Sequence, residues 1–338
     1  MLDIFTSKTV GIDLGTSNSL VYIPHKDIVL NEPSIVAISS DDNSILAVGN
    51  AALEMVGRTP ESITAERPLK EGVIADYRVT EAMLRYFIRR TTQKIRFQKT
   101  DVLIAVSAGI TSTERRAVIQ ATKKAGANNV FIVKKPILAA VGAGVPVNSS
   151  TGSMVIDIGG GTTEVAIISL GGIVVSESTR VGGDKMDSSI IAYIKSHYNV
   201  AIGERTAEKI KVQIGSAVSQ REEEVLEVSG LDMMTGLPKN IKVKNNNITD
   251  AIVEEVKEIV HTVKKVLRDT PPELIADIME RGMLLCGGVA HLRHLDDLLS
   301  EAIGVPAFVA DDPMLCVAKG TGVAMENIEM YKRSIMNK

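Results

Sequence analysis

The sequence has no tryptophan, and phenylalanine and tyrosine bring its aromatic share to only 3%. A core so poor in rings must be packed from aliphatic side chains, and these are abundant, since 45% of the 338 residues are hydrophobic. Cysteine is scarce: Cys286 and Cys316 match neither a disulfide framework nor a metal-ligand spacing, so both read as buried free thiols in a reducing cytosol. The net charge of -3 is too small to make an electrostatic case for nucleic acid as a partner. No run approaches the roughly 20 apolar residues that cross a bilayer, and the N-terminus lacks the apolar run of a signal peptide. A soluble or at most peripheral protein is expected. Residues 1–5 offer a few apolar side chains to a lipid surface, but they are short for an amphipathic anchor and read first as an ordinary terminus. Low-complexity segments, a Walker-type phosphate loop and a protein-kinase signature set are also missing.

What is present is a duplicated pattern. Residues 9–14 form an apolar, β-branched run, Gly15-Thr16-Ser17-Asn18 a small-residue turn, and residues 19–23 a returning run. Residues 154–158, Gly159-Gly160-Gly161-Thr162-Thr163 and residues 164–170 repeat it. Each copy carries one Asp two residues before the first glycine of its turn, Asp13 and Asp157. Two such hairpins half a chain apart predict two similar domains with a cleft between them, as the length also suggests. Helical periodicity covers residues 79–90, 112–125 and 248–268, the second with start signals at Thr111 to Thr113 and Glu114, the third opened by Thr249-Asp250. Strand-like runs at 102–106, 130–133 and 283–285 alternate with them, the signature of an α/β protein. The polar stretch 239–247 reads as a surface turn or strand pair.

The chemistry follows from the turns. Glycine-rich turns let several backbone N–H groups converge on a phosphate, and Ser and Thr hydroxyls add neutral donors. Facing each other, two such turns clamp a polyphosphate, and Asp13 and Asp157 are then placed to hold Mg²⁺, mostly through its waters. A single Gly-Gly-Gly turn carries little weight, but the pair with matched Asp residues carries much more. A third turn, Cys286-Gly287-Gly288-Val289-Ala290, follows a strand in the second half and leaves room for a flat base.

Gly11-Ile12-Asp13-Leu14-Gly15-Thr16-Ser17-Asn18 resembles the first phosphate motif of the actin, sugar-kinase and DnaK-type ATPase superfamily, and residues 157–163 resemble the second. A narrower resemblance, to the bacterial shape-determining MreB family, rests on segments spread along the chain. Among them are Asn31-Glu32-Pro33-Ser34, Arg67-Pro68, Gly72-Val73-Ile74-Ala75-Asp76-Tyr77, Gly182-Gly183-Asp184-Lys185-Met186-Asp187 and Thr270-Pro271-Pro272-Glu273-Leu274. The resemblance implies an actin-like α/β fold of two domains, each of two subdomains, around an ATP or ADP site. The first domain would span about 1–145, with a small subdomain at about 32–76 and a returning tail at about 318–338; the second would span about 146–317, with its small subdomain at about 184–250. By the same resemblance Gly15, Thr16, Ser17, Asn18, Gly159, Gly160, Gly161 and Thr162 hold phosphates. Gly183, Asp184, Glu208, Lys209, Ile210 and Lys211 contact ribose and base, and Gly287, Gly288, Val289 and Ala290 pack on the adenine side. It further implies self-assembly into filaments, with MreB paralogues as further partners, in the cytoplasm and peripheral to an anionic inner membrane surface.

Three departures from the family pattern stand out. Where relatives carry Glu-Glu-Pro, this chain reads Lys134-Lys135-Pro136, so Lys135 takes the place of the Glu that activates the attacking water, while Thr162, the other residue near that water, is kept. An ammonium accepts no proton, and the expectation is nucleotide binding with at most weak ATPase activity. Val289 replaces a glycine, and the loop 93–99 offers only Ile95 and Phe97 among Lys94, Arg96 and Lys99 as a membrane tip. An efficient ATPase or a small-molecule kinase of the superfamily is the alternative, against which no inserted substrate module is found. A chaperone-like ATPase is disfavoured by the lack of a peptide-binding domain.

Overall fold

The computed structural model describes residues 8–58, 60–92 and 100–336. Residues 1–5 and the loop 93–99, where membrane contact is expected, lie outside them. The chain opens with β1 (Lys8–Leu14), β2 (Asn18–Ile23), β3 (Asp27–Pro33), β4 (Val36–Ser39), β5 (Ile45–Val48), α1 (Asn50–Leu53), β6 (Ile63–Glu66), β7 (Leu69–Lys70) and β8 (Val73–Ile74). It continues through α2 (Tyr77–Thr92), β9 (Thr100–Val106), α3 (Ser112–Ala125), β10 (Val130–Lys134) and α4 (Lys135–Gly142). The second half begins with β11 (Ser153–Ile158), β12 (Thr163–Ser169), β13 (Gly172–Thr179), α5 (Gly183–Tyr198), β14 (Val200–Ala201), α6 (Glu204–Ile214), β15 (Val225–Asp232) and β16 (Pro238–Lys244). It ends with α7 (Asn245–Arg268), α8 (Pro272–Arg281), β17 (Met283–Cys286), α9 (Leu295–Ile303), β18 (Ala307–Val309) and α10 (Cys316–Glu326).

The duplication legible in the sequence is a duplication of sheets. One sheet runs β10-β9-β1-β2-β3 and the other β13-β12-β11-β17-β18. In each, three strands form an antiparallel meander and two more extend it in parallel. The parallel strands are covered on both faces, which is why β9 reads as an unbroken apolar run instead of alternating. Smaller sheets, β5-β4-β6 and β14-β15-β16, stand apart from the two large ones.

The helix pair α4 and α10 joins the halves. α4 packs on β9 and β10 of the first sheet and on β11 and β12 of the second, while α10 packs on β1, β2, β3 and β9. One apolar cluster therefore runs across both halves, from Leu103, Ala105 and Val133 to Val155, Ala166 and Ile168. The two helices touch backbone to backbone: a Cβ on Gly142 would stand 1.8 Å from the Cys316 carbonyl oxygen, and one on Gly320 1.9 Å from that of Leu138. Beside this joint lies a cleft lined by residues of both halves, with Lys135 of α4 and Val317 of α10 among them.

Local signals hold where they are strongest. α3 starts at Ser112 behind a full capping box, with Thr111 Oγ1 accepting from the Glu114 amide at 3.2 Å and Glu114 Oε2 accepting from the Thr111 amide at 2.8 Å. α7 begins at Asn245, three residues before the expected start at Ile248, and residues 238–244 form β16, paired with β15. Thr249 is no cap; its hydroxyl donates to the Ser216 carbonyl at 3.0 Å. The asparagines 245–247 look like a turn by composition, but their side chains hold other elements: Asn245 Nδ2 donates to the Glu222 carbonyl at 2.9 Å and Asn246 Nδ2 to that of Gln220 at 3.0 Å.

Candidate functional site

The β1–β2 turn and the β11–β12 turn lie face to face at the ends of the two sheets. A Cβ on Gly160 would fall 1.7 Å from Ser17 Oγ, and one on Gly161 2.6 Å from Thr16 Oγ1, so these two glycines are what lets the turns meet. Ser17 Oγ donates to Asp184 Oδ1 at 2.8 Å, linking residues 167 apart in sequence across the cleft. The first turn is braced by segments that have no glycine signature of their own. Ser34 Oγ donates to the Gly15 carbonyl at 2.6 Å, and an Arg67 guanidinium N–H donates to the Ser17 carbonyl at 3.2 Å. The second turn is tied to the start of α5, whose Gly183 and Asp184 amides donate to the carbonyls of Gly159 and Gly160 at 3.0 and 2.8 Å. Over both turns lies the β7–β8 turn: the Gly72 amide donates to Thr16 Oγ1 at 3.1 Å, and Glu71 pairs with Arg180 of the other half at 2.9 Å.

The cleft encloses about 360 Å³, within the range of small-molecule sites. Gly15 to Asn18, Gly159 to Thr162, Gly183, Asp184, Glu208, Lys211, Gly287, Gly288, Val289, Asp13, Asp157 and Lys135 all line it. Three of the expected contact residues do not. Ile210 and Ala290 are buried in the core of the second half, and Lys209 faces solvent. The helical period explains α6: Glu208 and Lys211, three apart, share the cleft face, which turns the two residues between them elsewhere. Gly287 takes φ +85, and a Cβ there would meet the Ile158 carbonyl oxygen at 2.3 Å, so neither its conformation nor its space admits a side chain.

Sequence reasoning missed two carboxylates. Asp187 shares a helix face with Asp184, and its Oδ1 pairs with Lys211 Nζ at 2.8 Å; Lys211 also donates to the Gly183 carbonyl at 2.9 Å. Glu164, opposite Asp157 in the β11–β12 ladder, is almost wholly buried and accepts from the Ala108 amide at 2.8 Å. Its signal was present, an acidic residue opening a buried strand, but the partner amide lies 56 positions away.

A family model described as MreB/Mbl protein matches residues 7–333. The chain belongs to the MreB/Mbl family. It is 49% identical to the cell shape-determining protein Mbl of Bacillus cereus, over 97% of this chain and 99% of that one. Identity to the cell shape-determining protein MreB of Escherichia coli is also 49%, over 96% and 95% of the two chains. The crystal structure of MreB5 of Spiroplasma citri bound to ADP superposes with a TM-score of 0.92 at 38% identity, covering 97% of this chain and 99% of that one. The fold is therefore actin-like.

Within this MreB/Mbl-family cleft the electrostatics centre on Lys135, the first residue of α4. Its Nζ stands 2.9 Å from Asp13 Oδ1. Burial alone would pull the ammonium down, but the carboxylates of Asp13 and Asp157 outweigh it and hold it above the ordinary lysine value. Burial pushes Asp157 up to about 7 in spite of Lys135, and it raises Glu164 as well. Asp187 is raised to about 6, again by burial, against the pull of Lys211. These observations test the expected Mg²⁺ site. An oxygen of Asp13 is engaged by the Lys135 ammonium, 2.9 Å away, where a hydrated ion would need it free. The residues present do not fit a Mg²⁺ held by Asp13 and Asp157.

A pH dependence follows. An acid whose folded pKa is raised contributes stability in full below its unfolded value and loses it as pH rises through the folded one. For Asp157 that window runs from the ordinary Asp range up to about 7. The ligand-free protein is expected to be less stable to urea at about pH 8 than at about pH 6, its unfolding free energy falling by the order of a kcal/mol, with Asp157→Asn flattening the difference. A midpoint that climbs between those pH values in the wild type would remove Asp157 from this role.

Proposed function

We propose that this chain binds ATP and ADP in the cleft between its two large sheets and assembles into filaments that act in cell shape, with little hydrolysis of the bound nucleotide. The observation that carries this reading is the pair of phosphate-type turns held face to face by Ser17 and Asp184. The relative MreB5 of Spiroplasma citri, solved bound to ADP and to AMPPNP, supports the ligand, and the names of the Bacillus and Escherichia relatives support the role in cell shape. We assign the two domains to about 1–145 with the tail 318–338 and about 146–317, with small subdomains at about 32–76 and 184–250. Adenine is assigned to the side of Gly287 to Val289, ribose to Asp184, Glu208 and Lys211. Weak turnover is assigned to Lys135, which places a proton donor where hydrolysis requires an acceptor. Mg²⁺ is not part of the proposal, because Asp13 already holds an ammonium.

Self-association has surfaces to use. β18 is one of the two edge strands of the second sheet and carries Phe308, 55% exposed; the tip joining β15 to β16 carries Met234, 86% exposed, and Leu237. Apolar side chains on an unpaired edge favour association. MreB paralogues are proposed as co-assembling partners, and the inner face of the cell membrane as the place of assembly. No described helix is long and apolar enough to cross a membrane.

Sedimentation across a protein concentration series, with ATP present, tests the proposal. Wild type is expected to pellet above a critical concentration, and Phe308→Asp to raise that concentration about tenfold or more without changing nucleotide affinity. A wild type that stays in the supernatant at every concentration sinks the filament reading.

A further inference from the structure

The cleft gathers three buried carboxyl groups in the place where a nucleotide's phosphates would lie. Asp13, Asp157 and Glu164 are each less than a tenth exposed, and the ammonium of Lys135 faces them. A nucleotide brings further anionic oxygens into the same space, so a positive charge must stand between the carboxylates and the phosphates. A hydrated divalent ion is the usual solution. Here the position is held by a charge built into the chain: Lys135 lines the same cleft as Thr16 and Gly160, and its Nζ lies 2.9 Å from Asp13 Oδ1. An ammonium has three N–H donors, so one side chain can face both a carboxylate and phosphate oxygens. It also excludes a metal, because it engages an oxygen the ion's shell would need and repels a dication at contact distance.

We propose that the Lys135 ammonium is the resident cation of this phosphate site, and that the cleft takes nucleoside di- and triphosphates without a divalent metal. The inference rests on the nucleotide reading above and deepens it. It turns the substitution at position 135 from a lost base into a gained ligand: one side chain bridges Asp13 to the terminal phosphate and makes the bound nucleotide independent of Mg²⁺.

Isothermal titration of ADP and ATP into nucleotide-stripped protein, once with Mg²⁺ and once with EDTA, tests it. The wild-type Kd is expected to change less than about threefold between the two buffers, whereas Lys135→Gln weakens about tenfold or more in EDTA and recovers with Mg²⁺. Wild-type binding that drops about tenfold or more in EDTA overturns the proposal, as does a Lys135→Gln protein as indifferent to Mg²⁺ as the wild type. Absence of binding in both buffers overturns the nucleotide reading itself. Should Lys135→Gln fail to fold, Mn²⁺ titrated into the wild-type ADP complex and followed by electron paramagnetic resonance decides: no protein-held Mn²⁺ is expected, and a bound, immobilised signal refutes the inference.

Discussion

Lys135→Glu is expected to raise phosphate release from ATP by about a hundredfold or more and to make it strictly dependent on Mg²⁺. The gain comes from putting a proton acceptor where the wild type has a donor, at the N-terminal residue of α4, in the same cleft as Thr162. General-base catalysis by a positioned carboxylate typically contributes about 10²–10⁴-fold, so even a badly aimed Glu registers against the weak turnover proposed for the wild type. The metal dependence has a separate cause. The variant adds a carboxylate to Asp13, Asp157 and Glu164 and removes the ammonium that faces them, so nothing but an external cation is left to separate carboxylates from phosphates. Phosphate release under assembling conditions, with and without Mg²⁺, measures both effects. Brisk turnover by the wild type would show that another residue is the base. A Lys135→Glu protein that binds nucleotide with Mg²⁺ yet releases no phosphate would show that position 135 does not address the attacking water.

Gly320→Ala is expected to destabilise the whole protein by about 3 kcal/mol, and Gly320→Val by more. The new Cβ would lie 1.9 Å from the Leu138 carbonyl oxygen, 2.7 Å from its carbonyl carbon and 3.0 Å from its Cα. All three are backbone atoms of α4, so no rotamer change relieves the contact, and the helices must move apart. Their separation opens an apolar cluster shared by both halves, so the damage reaches the relation between the sheets and with it the facing of the phosphate turns. Nucleotide affinity is therefore expected to fall together with the urea midpoint. Gly109→Ala is the control: a Cβ there meets nothing within 4 Å, and its effect should stay within about 0.5 kcal/mol. A Gly320→Ala protein as stable as the control would mean that the α4–α10 contact has slack that its backbone geometry does not suggest.

The elements that positioned the site were readable because their signals are local. The two hairpins show themselves by apolar runs broken at small-residue turns, α3 by its capping box, and the loss of the usual acid at position 135 by comparison with the family pattern. α7 starts three residues before its periodicity predicts, because Asn245 to Asn247 have turn composition while Asn245 and Asn246 bond to residues 222 and 220, out of reach of any local window. On α6, periodicity tells that Glu208 and Lys211 share a face; only packing against the core by Ile210 tells that this face looks into the cleft.

The sequence by itself determined that this is a duplicated α/β chain with two phosphate-type turns, each preceded by an Asp, and a lysine where the family has an acid. The tertiary structure decided what those residues do to one another. Asp13 and Lys135 are 122 positions apart and form an ion pair, Ser17 and Asp184 join across the cleft, and Glu164 enters the same electrostatic group although no motif singles it out. The division has a physical reason. Turns, caps and periodicity are set by neighbours along the chain, whereas the charge state and ligands of a buried group depend on which distant atoms the packing of two sheets on one helix pair brings within a few ångströms.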